Sequence, residues 1–375
     1  MCANALCANA LCANALCANA LCARSHTTML IGELGEFALI DRLQQRLQQT
    51  APAQVVRGIG DDCAVLRATA GMDLLWTTDT QEEGVHFRRD WSTPQDIGWR
   101  CLAVNVSDIA AMGGNPLGAL IALSVPATLE VAFVEALYDG LQELATAYDC
   151  PIIGGNVSKA SVHLTVTITV LGDVPSGQGV YRSGAQVGDE VWVTGDLGGA
   201  KAGLEVLLHP ETPAGLSTSE ALRRYRRPRP RLREAQYLRQ HSILHSLIDI
   251  SDGLSSDLAH ICTESGVSAQ LEAAHIPVSE DVRHIARALQ VDPLTLALHG
   301  GEDFELCLTA PAGAVSRLQQ AFAARFQCPL VRVGTVHPGR GVTLRLPDGT
   351  QQPLSARGYD HFRTHADGTT EAPDA

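Results

Sequence analysis

Apolar residues recur along this chain at two periods, 3.6 and 2, and the switches between them outline its elements. Gly35–Leu47 spaces Phe37, Ile40, Leu43 and Leu47 as one face of an amphipathic helix. Gly58–Leu66 is a glycine turn that carries Asp61 and Asp62 into a strand. Asp73–Thr78 predicts a second strand, ending at Asp79. Thr93 and Asp96 bracket Pro94 as a helix start. That helix runs to about Met112 and stops at Gly113-Gly114-Asn115-Pro116, with Asn105 and Asp108 on one face. Leu117–Val125 predicts strand, Leu129–Tyr148 helix, and Pro151–Ile153 a strand running into a Gly154-Gly155-Asn156 turn. Ser161–Leu171 alternates as a long strand.

A glycine-rich loop (Gly177, Gly179, Gly184, Gly188) places a domain boundary near residue 175. Beyond it come strand Glu190–Thr194, helix Ala200–Leu208 and a linker. Leu222–Arg233 then holds seven arginines, read as a solvated crossover between helices, with a phosphate or RNA contact as the alternative. Strands near Ala269–Glu272, Leu330–Val336 and Val342–Leu346 alternate with helices Glu280–Leu289, Pro293–Leu298 and Ala314–Phe326. Each half mixes strands and helices, so the class is α/β or α+β.

The stretch Ile248–His260 is the pivot of the second half. A buried strand end (Leu247, Ile248, Ile250) leads into a Ser251–Gly253 turn, and Leu254, Leu258 and Ile261 continue at helical spacing. Asp249 and Asp252 then sit at a strand–helix junction, where α/β sheets bind ligands. Two carboxylates 4 Å apart repel by roughly 4 kcal/mol at an effective dielectric of 20, and a cation removes that cost.

Composition narrows the chemistry. The 375 residues are 45% hydrophobic and 18% charged, as in a soluble two-domain protein. A net charge of −13 disfavours nucleic acid as a general partner. No apolar run reaches membrane-spanning length. Five of the 11 cysteines belong to a CANAL pentapeptide repeat near the N-terminus. A period of five turns about 140° per repeat on a helix, so the repeat presents no apolar stripe. The other six cysteines are scattered without paired spacing, as in a reduced cytoplasmic protein.

Acids or amides beside Gly, Ser or Thr recur at Asp61/Asp62, Thr78/Asp79, Asp108, Asn156 and Asp249/Ser251/Asp252. Hard divalent cations take such oxygen ligands, and Mg²⁺ adds phosphates and water. There is no GxxxxGK[ST], no GxGxxG and no HRD loop, so a P-loop or protein-kinase fold is disfavoured. Gly198-Gly199-Ala200-Lys201 lacks the terminal Lys-Ser/Thr of a P-loop.

The ordered motifs GIGDDCAVL, TTDT with His86-Phe87, LAVNVSDIAAMGG, IIGG, YRSGAQVGD, IDISDGLSSDL, GGEDFELCLT and GYDHF resemble the bacterial thiamine-monophosphate kinases. These enzymes belong to the aminoimidazole-ribotide-synthetase-like ATP-binding superfamily. The match runs from about Gly35 to Phe362. The resemblance implies a two-domain α/β (α+β mixed) fold and a homodimer paired through N-terminal sheets. It implies transfer of the ATP γ-phosphoryl to thiamine monophosphate with several Mg²⁺ ions.

By the same resemblance, Asp62, Thr77, Thr78, Asp79, Asp108, Asn156, Asp249 and Asp252 form the metal set. Gly155, Asn156, Arg182, Ser251 and Tyr138 are ATP contacts. His86, Glu302 and Tyr359 are thiamine-phosphate contacts, and no general base is assigned. Asn156 stands where many relatives carry Asp, which removes one charge from a metal position. Thr77 replaces a common Ser.

The expected division is a disordered CANAL extension (1–28), an ATP/Mg-binding and dimerisation domain (29–175), a C-terminal domain completing the site (176–363) and a disordered tail (364–375). Rival readings are a hydrogenase-maturation dehydratase, a ribotide cyclase or a non-catalytic nucleotide-binding protein. The first of these is expected to end in a reactive Cys, whereas this sequence ends Ala-Pro-Asp-Ala.

Overall fold

The computed structural model describes residues 29–47, 53–59, 63–211 and 218–356. The CANAL repeat, Asp61, Asp62, Tyr359 and the C-terminal tail lie outside the described residues. In chain order the N-terminal half forms α1 (Ile31–Leu34), α2 (Glu36–Arg46), β1 (Val55–Arg57), β2 (Val65–Leu66), β3 (Met72–Glu82), α3 (Pro94–Ala111), β4 (Asn115–Pro126), α4 (Val131–Ala147), β5 (Ile152–Ala160) and β6 (Thr165–Pro175). The C-terminal half adds β7 (Glu190–Thr194), α5 (Gly199–Leu208), α6 (Ser219–Arg226), α7 (Leu232–His241), β8 (Ser246–Asp249), α8 (Leu254–Ser265) and β9 (Ser268–Glu272). It closes with α9 (Glu280–Ala288), α10 (Pro293–His299), β10 (Leu306–Ala310), α11 (Gln319–Phe326), β11 (Leu330–His337), β12 (Gly341–Arg345) and β13 (Gln351–Leu354).

The mixed α/β class is as expected. A four-stranded sheet in the order β3-β6-β4-β5 is antiparallel except for the β4–β5 pair. A seven-stranded sheet runs β13-β12-β9-β11-β7-β10-β8. Several strands outrun their apolar patterns. β3 continues past Asp79 because β6 pairs with it along its whole length, Met72 to Pro175 through Glu82 to Thr165. Gly154-Gly155-Asn156 is likewise interior to β5, paired with Leu120–Ala122 of β4, and is not a turn. The long strand expected at Ser161 begins at Thr165.

Thr93 caps α3 as read: Asp96 N donates to Thr93 Oγ1 at 3.2 Å, and Thr93 N donates back to Asp96 Oδ2 at 3.3 Å. The helix packs on α4, β3 and β6 within its own half and on α7 and β8 of the other. It is therefore buried on nearly every side. Its crossing with α4 is made by two glycines. A Cβ on Gly98 would lie 1.9 Å from the Leu137 carbonyl oxygen, and one on Gly140 1.9 Å from that of Gln95. Backbone meets backbone there, which is the close approach that only glycine permits.

The arginine-rich stretch is not a solvated crossover. It forms α6, the start of α7 and the connection between them, and it stitches the two halves together. Arg227 pairs with Asp96 and Glu143, and Arg233 donates to the Ala147 carbonyl, all in the N-terminal half. Arg224 pairs with Asp196 and Glu220, and Arg231 forks onto buried Glu305. Trp99 Nε1 and Tyr148 Oη donate to the Pro228 and Pro230 carbonyls at 2.7 and 3.0 Å. Guanidinium groups suit this role because their planar forks serve several acceptors at once.

Gly98→Ala tests the crossing. Ala favours a helix over Gly by ~1 kcal/mol, but overpacking costs about 1–3 kcal/mol, and backbone cannot give way as a side chain can. The expected outcome is a melting temperature several degrees lower. An unchanged or higher melting temperature would contradict the backbone contact.

Candidate active site

β8 pairs antiparallel with β10, Asp249 opposite Leu306, so the turns that flank these strand ends lie side by side. Glu302 N donates to Ser251 O at 2.7 Å and Phe304 N to Ile250 O at 2.9 Å. Gly301, at φ +68°, fits because a Cβ would meet Ser251 O at 2.7 Å. The SDG and GGED motifs thus form one double turn. Asp257, one turn into α8, accepts a hydrogen bond from Asp252 N at 3.2 Å and braces it.

Against this double turn stand β3 and α3. The Thr77 hydroxyl donates to Asp108 Oδ2, and Ser107 Oγ donates to Asp249 Oδ2 at 2.6 Å. Three carboxylates from three elements gather here. Burial, then repulsion from Asp108, pushes Asp79 up to about 7. The same two causes push Asp249 up to about 7. Burial raises Asp108 as well, opposed by the Thr77 hydroxyl. Exposed Arg182 is the cation that favours ionisation of Asp108 and Asp249. Burial, then Asp249 and Asp252, pushes Asp257 up to about 8.

The residues fit Mg²⁺ on their chemistry: hard oxygen donors that repel one another, next to a single arginine. Among the described residues no three His, Cys, Asp or Glu side chains already converge as a closed cage. Mg²⁺ needs none, since it is commonly held by one or two carboxylates plus phosphates and water.

Other predicted residues lie elsewhere. Strand alternation turns Thr78 to the opposite face from Thr77 and Asp79, where its hydroxyl meets Thr169 Oγ1 at 3.0 Å. Asn156 shares a row with Thr80 across the sheet, three strands from β3, a separation of about 14 Å. Tyr138, Gly155 and Asn156 line one groove with Leu43, Leu47 and Ile59. This groove is apart from the acids within one chain. His86 Nδ1 accepts from Glu82 N at 3.1 Å, beside buried Phe87. Glu302, by contrast, belongs to the double turn beside the acids and is held by Arg100. The glycine turn Gly198-Gly199 has a partner of its own: Asp303 accepts from Gly198 N at 2.7 Å and Ala200 N at 3.2 Å, filling the N-terminus of α5.

Sequence reasoning passed over Ser107 and Arg100. The signal available was a polar residue inside the apolar run of α3. Asn105, on that helix too, keeps its Oδ1 buried without a hydrogen-bond partner among the described residues.

Residues 60–174 match the family described as AIR synthase related protein, N-terminal domain, and residues 186–347 its C-terminal domain. Thiamine-monophosphate kinase of Bacillus subtilis strain 168 is 37% identical over 88% of this chain and 100% of its own length. That of Aquifex aeolicus strain VF5 is 34% identical over 89% and 100%. The chain belongs to the thiamine-monophosphate kinase family. The solved thiamine-monophosphate kinase from Stenotrophomonas maltophilia K279a superposes with TM-score 0.73 at 36% identity, covering 84% of this chain and 97% of that one. A structure of AaThiL complexed with AMPPCP and TMP gives TM-score 0.70 at 34% identity over 90% and 100%. A hydrogenase maturation protein, HypE in complex with ATP, shares the fold at TM-score 0.70 and 18% identity.

A pH test follows from the acids. Asp79 and Asp249 have folded pKa values near 7, above the ordinary 3.8. The folded state therefore prefers their protonated forms, and stability falls as pH rises from about 4 through 7. A divalent cation replaces those protons. Adding Mg²⁺ is expected to raise the melting temperature more at pH 8 than at pH 5.5. Equal shifts at both pH values, read by calorimetry, would remove these acids from the metal site.

Proposed function

We propose that this chain transfers the γ-phosphoryl of ATP to thiamine monophosphate, giving thiamine diphosphate, with Mg²⁺ held by Asp79, Asp108, Asp249 and Asp252. The observation that carries this reading is the gathering of Asp79, Asp108 and Asp249 beside the double turn bearing Glu302. Phosphoryl transfer asks the protein mainly to position reactants and neutralise charge. The acceptor is an ionised phosphate monoester, so no general base is required. Two anions must approach each other. Mg²⁺ supplies the charge neutralisation between them. Arg182 adds a fixed positive charge at the mouth, Thr77 and Ser107 hold two carboxylates in place, and Glu302 faces the thiamine moiety. The division at residue 175, the cytoplasmic setting and the ligand roles of Asp62 and Tyr359 belong to this reading.

The dimer belongs to it too. The face of the four-stranded sheet turned away from α3 carries Leu74, Trp76 (66% exposed) and Leu120, with Thr78–Thr169 and Thr80–Thr167 hydroxyl pairs between them. An apolar face of this kind is covered by a second copy in our reading. β3 and β5 are the two edges of that sheet. Of the pairings that a two-fold axis allows, our reading takes the one with β5 of one copy beside β3 of the other. Asn156, Gly155 and Tyr138 of one chain then complete the acid cluster of its partner.

Purified protein is expected to convert thiamine monophosphate with ATP and to leave free thiamine and aminoimidazole precursors unchanged. Asp108→Ala should cost on the order of 10²-fold in turnover, by analogy with removing one preorganised electrostatic group. Coexpressing Asp108→Ala chains with Asn156→Trp chains tests the shared site. Each mixed dimer holds one intact site if the residues come from two chains. Random pairing then restores about a quarter of wild-type activity. Activity no higher than that of either variant alone would place each site within one chain.

A further inference from the structure

Arg100 lies in the middle of α3 and is 2% exposed. Its guanidinium reaches three elements. Nε faces Gln81 Oε1 of β3 at 3.4 Å, Nη1 donates to the Tyr225 carbonyl of α6 at 2.6 Å, and Nη2 donates to Glu302 Oε1. The group also sits over the Tyr225 ring, 5.0 Å from its centroid. Glu302 is half-buried where Arg100 is fully buried: the side chains are 32% and 3% accessible. Its Oε2 accepts no hydrogen bond among the described residues. Its backbone adopts the left-handed region at φ +58° and is tied to Ser251.

We propose that Arg100 is a positioning residue for the substrate. It holds Glu302 by one carboxylate oxygen and leaves the other turned outward, to accept an N–H of the thiamine aminopyrimidine. This rests on the reading of the site as one for thiamine monophosphate. The pairing has a chemical consequence. A carboxylate already matched by a buried cation contributes little net charge, so Glu302 recognises its ligand as an oriented acceptor rather than as a counter-ion for the thiazolium. A rotating carboxylate would lose that direction. The three-partner fork matters for the same reason: Gln81 and Tyr225 fix the guanidinium plane, and the plane fixes Glu302. Lysine keeps the charge but offers no planar fork.

The pair also spans the two halves, since Arg100 belongs to the N-terminal half and Glu302 to the other. A purely structural clasp would explain that much. A double-mutant cycle separates the two roles. Arg100→Met, Arg100→Lys, Glu302→Gln and the double variants are assayed for the KM of thiamine monophosphate and the KM of ATP. Arg100→Met is expected to raise the KM for thiamine monophosphate roughly tenfold or more, as for a lost hydrogen bond to a charged group. The KM for ATP should stay within about twofold on the same grounds. In the Glu302→Gln background the same change should add almost nothing. Arg100→Lys should give an intermediate KM, and it decides the cycle if the Met variant does not fold. Additive effects, or equal rises in both KM values, would overturn the inference. Wild-type protein without thiamine-monophosphate turnover would instead sink the functional reading on which it rests.

Discussion

A helix buried on nearly every side carries a charged residue at low cost only where a partner waits, and α3 imposes this condition on the rest of the molecule. It is wedged between the small sheet, α4, α7 and β8, so its apolar positions fill both halves of one core cluster. Past its first turn the polar positions are Arg100, Asn105, Ser107 and Asp108. Three of them reach out to Glu302, Asp249 and Thr77. Each bond ties α3 to a different element. A buried donor left without an acceptor costs about 1–3 kcal/mol, so these contacts hold the elements in one arrangement even where they add little net stability. Gly98 and Gly140 enforce the same economy of space from the other side of the helix.

What that arrangement holds is unfavourable by itself. Burial raises Asp79, Asp108 and Asp249, Asp108 raises the other two further, and Asp257 is raised in turn by burial and then by Asp249 and Asp252. Such a cluster survives because the surrounding contacts over-determine it. The arginine clasp supplies much of that support. Arg227 and Arg233 fasten the connection between α6 and α7 to the N-terminal half and Arg231 anchors it to Glu305 of its own half, while Asp303 fills the α5 N-terminus with a carboxylate of the chain's own. Stored repulsion of this kind is common at sites that await a cation or an anion-bearing ligand.

Much of the framework was legible because its signals are local. The Thr93–Pro94–Asp96 start of α3, the strand Glu190–Thr194 and the SDG turn each follow from residues within one or two turns of chain. The class, the family motifs and most of the acids could be read in the same way. Strand ends were less legible. β3 runs past Asp79 only because β6 accompanies it, and Gly155-Asn156 is strand because β4 is its neighbour. These are facts about pairing, and pairing is not written in a single stretch. The arginine-rich segment failed for a related reason. A run of charge looks solvated until its counter-charges, Asp96, Glu143 and Glu305, arrive from distant parts of the chain.

The same distinction explains why Arg100 and Ser107 stayed hidden while Asp108 did not. An acid near glycine-rich turns announces chemistry by type, whereas an arginine or serine inside an apolar helix reads as an isolated exception. Its meaning depends on what faces it across the interior. The exception is nonetheless informative in sign. α3 is apolar in nearly every other buried position, so a guanidinium there requires an acceptor from outside the helix, and a carboxylate is the acceptor that best offsets its desolvation. Glu302 is that carboxylate. The direction of dependence follows: β10 and its preceding turn must close onto α3 for the buried Arg100 charge to be offset. The double turn bearing Glu302 is therefore held in place by the same contact that joins the two halves.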